Sequence, residues 1–367
     1  MARKFGKKNE VKVDIANYSY LLNGTAGIGK TTLAVELGKK LYGDEGIFLI
    51  SIGEEPVPDH IGGAFGDVAK DWDTLEEMIN YLIKDKKEFP ETRMVGFDTV
   101  DELFRVAEDK VIKEFNASVS DISKRVKSIK QAYGGYQAGE NKVVDKVIST
   151  VFKLREAGYG LFFIGHTKQK NKKDILTDIE YEQLTSNLDS KYYNAIKDKV
   201  NVVATAYIER KINDIETVKD AFSKKDKQIG KLTDEKRVIS FRDEEYAIDV
   251  KSHFEYIEPK IEFSTDNFIN TIEIAIKKQA EKYHGETTPE QFEQIKQQQI
   301  DEKQKAVEEK VEIDVVKNEK LIAKIQSNLA KIDMAKLQEI MTKYEIQNFQ
   351  DVENIKTKCL EEIVALI

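Results

Sequence analysis

Residues 17–35 contain a complete phosphate-binding loop, Gly24-x-x-x-x-Gly29-Lys30-Thr31, set between a strand-like run and a helical apolar pattern. No other segment constrains the fold as tightly, because this loop works at the carboxyl end of a strand that feeds directly into a helix. Gly24, Gly27 and Gly29 let the backbone curl, so that N–H groups along the loop turn towards phosphate oxygens; Thr25, Ala26, Ile28 and Thr32 complete the cradle. Lys30 reaches the β- and γ-phosphates, and Thr31 offers a hydroxyl to Mg²⁺. The expected ligand is a nucleoside triphosphate with its Mg²⁺.

Downstream periodicity supplies a sheet for that loop. Residues 31–42 read as a helix, 46–52 as a buried strand, 72–83 as an amphipathic helix and 94–97 as a second buried strand ended by Asp98. Helices over 100–115 and 141–157 and a short apolar strand over 160–165 continue the alternation, which predicts a largely parallel sheet in an α/β fold. Segments 200–208 and 237–241 read as β-rich around a polar stretch, 211–235, with the character of a long or mobile hairpin connection, so the sheet is expected to gain antiparallel strands. A helix over 264–283 closes a core of residues 1–285. A Gln-, Glu- and Lys-rich stretch, 286–316, reads as a solvated helix or linker, and 317–367 as a small C-terminal helical domain.

Composition narrows the chemistry. The 367 residues carry a net charge of −8, which argues against an indiscriminately basic coat protein but leaves room for local basic loops. A single cysteine, Cys359, excludes internal disulfides and a cysteine-built zinc site; its expected place is a packed thiol in a helix. The four histidines have no ligand-like spacing. No apolar run approaches a bilayer span, so the expectation is a cytoplasmic protein with no membrane partner. Asp98, at the end of an apolar strand, has the form of a second magnesium-organising group that holds a Mg²⁺-bound water. Asn171-Lys172-Lys173-Asp174 matches a guanine-recognition pattern, but it begins six residues after the strand 160–165 and is read as a coincidence within a basic loop.

Gly24 to Thr31, Phe97-Asp98-Thr99-Val100-Asp101 and Ile164-Gly165-His166 together resemble the phage AAA-family ATPases of RecA-like fold, a group that includes Sak-type annealing and recombination proteins. The resemblance runs over about residues 15–265 by motif order. It implies a RecA-like P-loop core, ATP hydrolysis with Mg²⁺, homo-oligomers with nucleotide at subunit interfaces, and single-stranded DNA as partner. The residue after Asp98 is Thr99 rather than a glutamate, so the water-orienting base is sought at the end of the neighbouring strand, where Glu54 is preferred narrowly to Glu55. His166 takes the place of a γ-phosphate sensor.

Two basic segments stand where such a core would meet DNA. Lys168, Lys170, Lys172 and Lys173 follow His166 directly, and Lys124, Arg125 and Lys127 precede Tyr133 and Tyr136, whose rings are candidates to stack on unpaired bases. Lys251 and Arg242 are candidates to reach a neighbouring copy's nucleotide. The leading expectation is an ATPase acting on single-stranded DNA in recombination, annealing or replication. The alternatives are an ATP-gated scaffold whose C-terminal region recruits a partner such as a single-strand-binding protein, and a ring-forming translocase or helicase.

Overall fold

The computed structural model describes residues 11–54, 61–173, 180–219, 226–243, 249–285, 288–329, 332–344, 346, 348–349, 355 and 357–366. Along the chain, β1 (Ser19–Gly24) leads through the phosphate loop into α1 (Lys30–Tyr42), followed by β2 (Ile47–Ile52), β3 (Gly66–Ala69) and α2 (Trp72–Lys84). Next come β4 (Met94–Asp98), α3 (Val100–Ser118), α4 (Ala138–Val151), the one-turn α5 (Lys153–Glu156) and β5 (Gly160–Lys173). Then β6 (Glu180–Ser186), α6 (Ser190–Lys197), β7 (Val202–Lys219), β8 (Asp226–Ser240), β9 (Lys251–Ser252), β10 (Lys260–Glu262) and α7 (Thr265–His284) complete the larger unit.

The main sheet has the order β10-β8-β7-β1-β5-β4-β2-β3. Pairings from β3 through β7 are parallel, whereas β7–β8 and β8–β10 are antiparallel. This is the expected class: a mostly parallel α/β sheet extended by antiparallel strands. Register places Gly24 of β1 beside His166 of β5 and Ala206 of β7, and places Asp98 of β4 beside Ser51 of β2 and Ile164 of β5. One carboxyl edge therefore gathers every group predicted to handle phosphate.

Both faces of a parallel sheet must be covered, and side-chain alternation shows how. Leu21, Val95, Phe97, Leu161 and Phe163 join a core with α2, α3, α4 and α6, while Tyr20, Leu22, Met94, Phe162 and Ile164 join another with α1 and α7. Phe97 and Phe163 stack across adjacent strands with centroids 5.1 Å apart. Helix starts are set by side-chain caps: Asp71 accepts from the Thr74 amide, Thr99 from Glu102 and Ser264 from Asn267.

The structure departs from expectation beyond the sheet edge. The short strand 160–165 runs on to Lys173, so Lys168, Lys170, Lys172 and Lys173 belong to a strand and not to a loop. That outer half of β5 pairs antiparallel with β6, from Thr167↔Ser186 to Lys173↔Glu180. The hairpin expected around 211–235 is built of strand: β7 and β8 pair antiparallel from Thr205↔Ser240 to Lys219↔Asp226. Two antiparallel arms thus rise from the edge that carries the phosphate loop, and Leu184, Tyr207 and Val238 form a buried apolar cluster between their bases. Polar alternation hid how far the strands run, because an arm with water on one side carries few apolar residues.

Residues 1–297 and 298–367 form two compact units. The Gln-rich run 290–312 lies within one long helix, α8 (Pro289–Ser327), followed by α9 (Met334–Lys343) and α10 (Thr357–Val364). Ile322, Ile325, Leu337, Leu360 and Ile363 make the small unit's core, with Cys359 buried among them. Burial pushes that thiol's pKa up, as for an inert packed cysteine. Among the described residues no helix is long and apolar enough to cross a membrane.

Helix α1 lies so close to β2 that a Cβ on Gly38 would stand 2.4 Å from Ile47 Cγ2 and 2.8 Å from its backbone nitrogen. In a free helix, Gly→Ala stabilises by about 1 kcal/mol. Here Gly38→Ala is expected to destabilise by about 1–3 kcal/mol, read as a lower urea midpoint. An unchanged or higher midpoint would mean that α1 can move off the sheet at little cost.

Candidate nucleotide site

Within the loop, Gly27 and Gly29 have φ of 75° and 108°, conformations that L side chains rarely adopt. Lys30, the first residue of α1, is buried, and its Nζ donates to the carbonyls of Gly24 (2.9 Å) and Thr25 (3.0 Å). The ammonium is thereby held over the concave side of the loop. The Thr31 hydroxyl donates to Asp98 Oδ2 at 2.7 Å, joining the loop's helix to β4 although β5 lies between β1 and β4. Asp98 is buried, and that burial raises its carboxyl pKa; the Thr31 hydrogen bond, Lys30 and His166 act in the opposite sense.

These residues fit Mg²⁺ and a triphosphate. The Thr31 hydroxyl and the buried Asp98 carboxylate are hard oxygen donors that would hold Mg²⁺, the latter through water. The buried oxygens Asn23 Oδ1, Asp101 Oδ1 and Thr167 Oγ1, near the same carboxyl edge, have no protein partner, which leaves them to water or ligand. Among the described residues no cluster of three or more His, Cys, Asp or Glu side chains offers a rival metal site.

Glu54 follows β2 at the same edge, is exposed, and has its amide directed to Glu102 Oε2 at 3.3 Å. Glu102 also pairs with Arg105 at 2.6 Å, so the first turns of α3 brace the turn that carries Glu54. Glu55 lies outside the described residues. His166, in register with Gly24, is partly exposed; its backbone N–H donates to Asp101 Oδ2 at 3.0 Å, and its ring Nδ1 lies 3.4 Å from the same oxygen. Asp101 stands in the 97–101 motif with no role evident from the sequence. The signal was available: an acid in the first turn after the Asp98 strand faces whatever ends the adjacent strand.

The remaining candidates separate. Lys168 and Lys170 are exposed on β5, where Lys172 holds the next alternate position; the side chains of Lys172 and Lys173 lie outside the described set. Lys124, Arg125 and Lys127 are exposed. Tyr133 packs on Phe115 with ring centroids 5.0 Å apart, whereas Tyr136 is fully exposed. Tyr133, Tyr136 and Gln137 have positive φ of 54°, 49° and 65° around two glycines, a backbone strain of the kind found at functional loops. Lys251 donates to the Lys197 carbonyl (2.8 Å) at the end of α6, and Arg242 to the Phe254 carbonyl (2.8 Å). Both are thus engaged within their own chain.

The raised pKa of Asp98 means that its ionised form costs stability in the nucleotide-free protein. That cost is absent below the unfolded carboxyl pKa and grows as pH rises through the folded one. In chelator-containing buffer at pH 7, Asp98→Asn is expected to stabilise the protein by about 1 kcal/mol, with the difference vanishing towards pH 3–4, while nucleotide turnover is lost. A denaturation series across pH reads the first and a phosphate-release assay the second. Equal stabilities at every pH would show that the carboxylate is fully compensated without ligand.

No curated protein matches the chain. Among solved structures it is similar to a KaiC-like protein from Pyrococcus horikoshii OT3, with 12% identity, a TM-score of 0.37, and 70% of this chain and 95% of that one covered. That likeness is too distant to carry an argument, and the fold rests on the sheet itself. A family model described as AAA domain matches residues 16–248, which contain the phosphate loop, Asp98, His166 and both arms. By that match over most of its length, the chain belongs to the AAA_24 family of AAA domains, the P-loop NTPase class that its loop and sheet edge describe.

Proposed function

We propose that the chain is a RecA-like, Mg²⁺-dependent ATPase acting on single-stranded DNA, in phage recombination, annealing or replication. The observation that carries the DNA half of this reading is the continuity of β5. His166, level with Gly24, is followed without a break by the strand bearing Lys168, Lys170 and Lys172. Alternate residues of a strand share a face, so these lysines lie at positions that make a basic strip along the arm. A movement at the nucleotide's γ end passes to the strip along a strand with no flexible joint.

Each residue then has a task. Lys30 would neutralise charge on the β- and γ-phosphates, Thr31 and Asp98 would hold Mg²⁺, the latter through water, and Glu54 would orient the attacking water. Asp101 holds His166 at the strand end by its backbone and ring, so that the imidazole is placed before ligand arrives. When bound, Mg²⁺ supplies the charge that offsets negative charge developing on the phosphoryl oxygens. Tyr136, fully exposed, is the ring most available to stack on a base, since Tyr133 is partly covered by Phe115; Lys124, Arg125 and Lys127 are exposed cations for the backbone. The reading extends to a homo-oligomer with nucleotide between copies, and to a C-terminal unit that takes a partner such as a single-strand-binding protein, in the cytoplasm of a host cell.

ATP turnover is to be measured with no DNA, single-stranded DNA and double-stranded DNA. Single strands are expected to stimulate it, and Lys30→Ala to abolish it under all three conditions. Changing Lys168, Lys170 and Lys172 to Glu should weaken single-strand affinity and lower the log–log salt slope by about 0.7 for each phosphate contact removed. Unaltered affinity and slope would sink the DNA assignment and leave the ATPase intact.

A further inference from the structure

The phosphate loop grips phosphates and offers nothing to a base, so the rest of the nucleotide must be received by another element. Sheet order shows on which side that element lies. The strands that carry or precede His166, Asp98 and Glu54 are β5, β4 and β2, all on one side of β1; β7, β8 and β10 lie on the other. A triphosphate whose γ end faces those groups therefore directs its α-phosphate, sugar and base towards the β7–β8–β10 side.

Phe263 stands on that side. A Cβ on Gly29 would lie 3.3 Å from its Cε1 and 3.5 Å from its Cζ, so the ring touches the loop itself. It is only partly buried, against the core beneath α1 and α7. Its position is fixed from both directions. The Phe263 amide donates to the Arg237 carbonyl at 2.8 Å, continuing the β10–β8 register in which Glu262 pairs with Val238. On the other side, Ser264 caps α7, and the Thr265 hydroxyl donates to Glu36 of α1 at 2.6 Å. A flat apolar ring is thereby held rigidly at the loop, at the end where a base must lie. Phe263 also falls beyond the residues 16–248 that define the family domain.

We propose that Phe263 forms the base-stacking wall of the nucleotide site, supplied by the strap between β10 and α7. The proposal rests on the triphosphate reading of the loop and adds the means by which the base is bound. Stacking needs only a π-face, so the wall selects for an aromatic base over a bare polyphosphate and not for one purine over another.

The test is equilibrium binding to the full-length chain of two ligands with Mg²⁺: ATP, and inorganic tripolyphosphate, which has the phosphates and no base. Phe263→Ala is expected to weaken ATP about tenfold or more and to leave tripolyphosphate unchanged. Phe263→Tyr should keep ATP affinity. Phe263→Leu, which refills much of the space against Gly29 without an aromatic face, should lose it while its thermal unfolding stays near that of the parent. An equal loss for both ligands in Phe263→Ala and Phe263→Leu would show that the ring props the loop, and overturns the wall. Full ATP affinity in folded Phe263→Leu overturns it as well. If the unchanged protein binds neither ligand, the triphosphate reading itself fails, an outcome distinct from the other two.

Discussion

The hydrogen bond from the Thr31 hydroxyl to Asp98 is the interaction on which the site's geometry depends. It ties the first turn of α1 to the end of β4 across the intervening β5, so loop, helix and two strands share one arrangement. A hydroxyl and a buried carboxylate in contact also form the half-built oxygen shell that a small hard cation needs. Burial makes the carboxylate costly without its cation, and that cost is strain held at the functional edge. Lys30 is folded onto the loop's own carbonyls, so its charge is met locally by Gly24 and Thr25.

The two arms turn a phosphate-binding sheet into a device with reach. Each is the outward continuation of a core strand that flanks β1, and the bases of both meet at Leu184, Tyr207 and Val238. A buried apolar joint of this kind resists shear, because any relative sliding exposes apolar area to water. Val238 also pairs with Glu262 in the strap that brings Phe263 to Gly29. The arms are thereby linked to the loop twice, once through His166 on β5 and once through the β8–β10 pairing.

Much of the core was legible in the chain, for identifiable reasons. Strands buried on both faces, such as 94–97 and 160–165, read as continuous apolar runs, and the loop between strand and helix has a spacing set by phosphate geometry. The β5–β6 arm was not legible as an arm. Lys168 to Lys173 has the composition of a solvated loop, and only pairing with β6 makes it a strand. Strand β3, two residues of β9 and three of β10 are too short to show a period at all. Tyr133 and Tyr136 were equivalent on paper; packing against Phe115 separates them.

What the sequence by itself determined is the P-loop NTPase class of the chain, since the loop's spacing is local and follows from backbone geometry. Tertiary structure alone decided which distant residues stand beside that loop. Asp101 is 65 residues from the His166 amide it holds, and Phe263 reaches Gly29 through a register set by β8. Register is a property of paired strands, not of any one of them, so a residue's place at the site edge exists only after the sheet has formed.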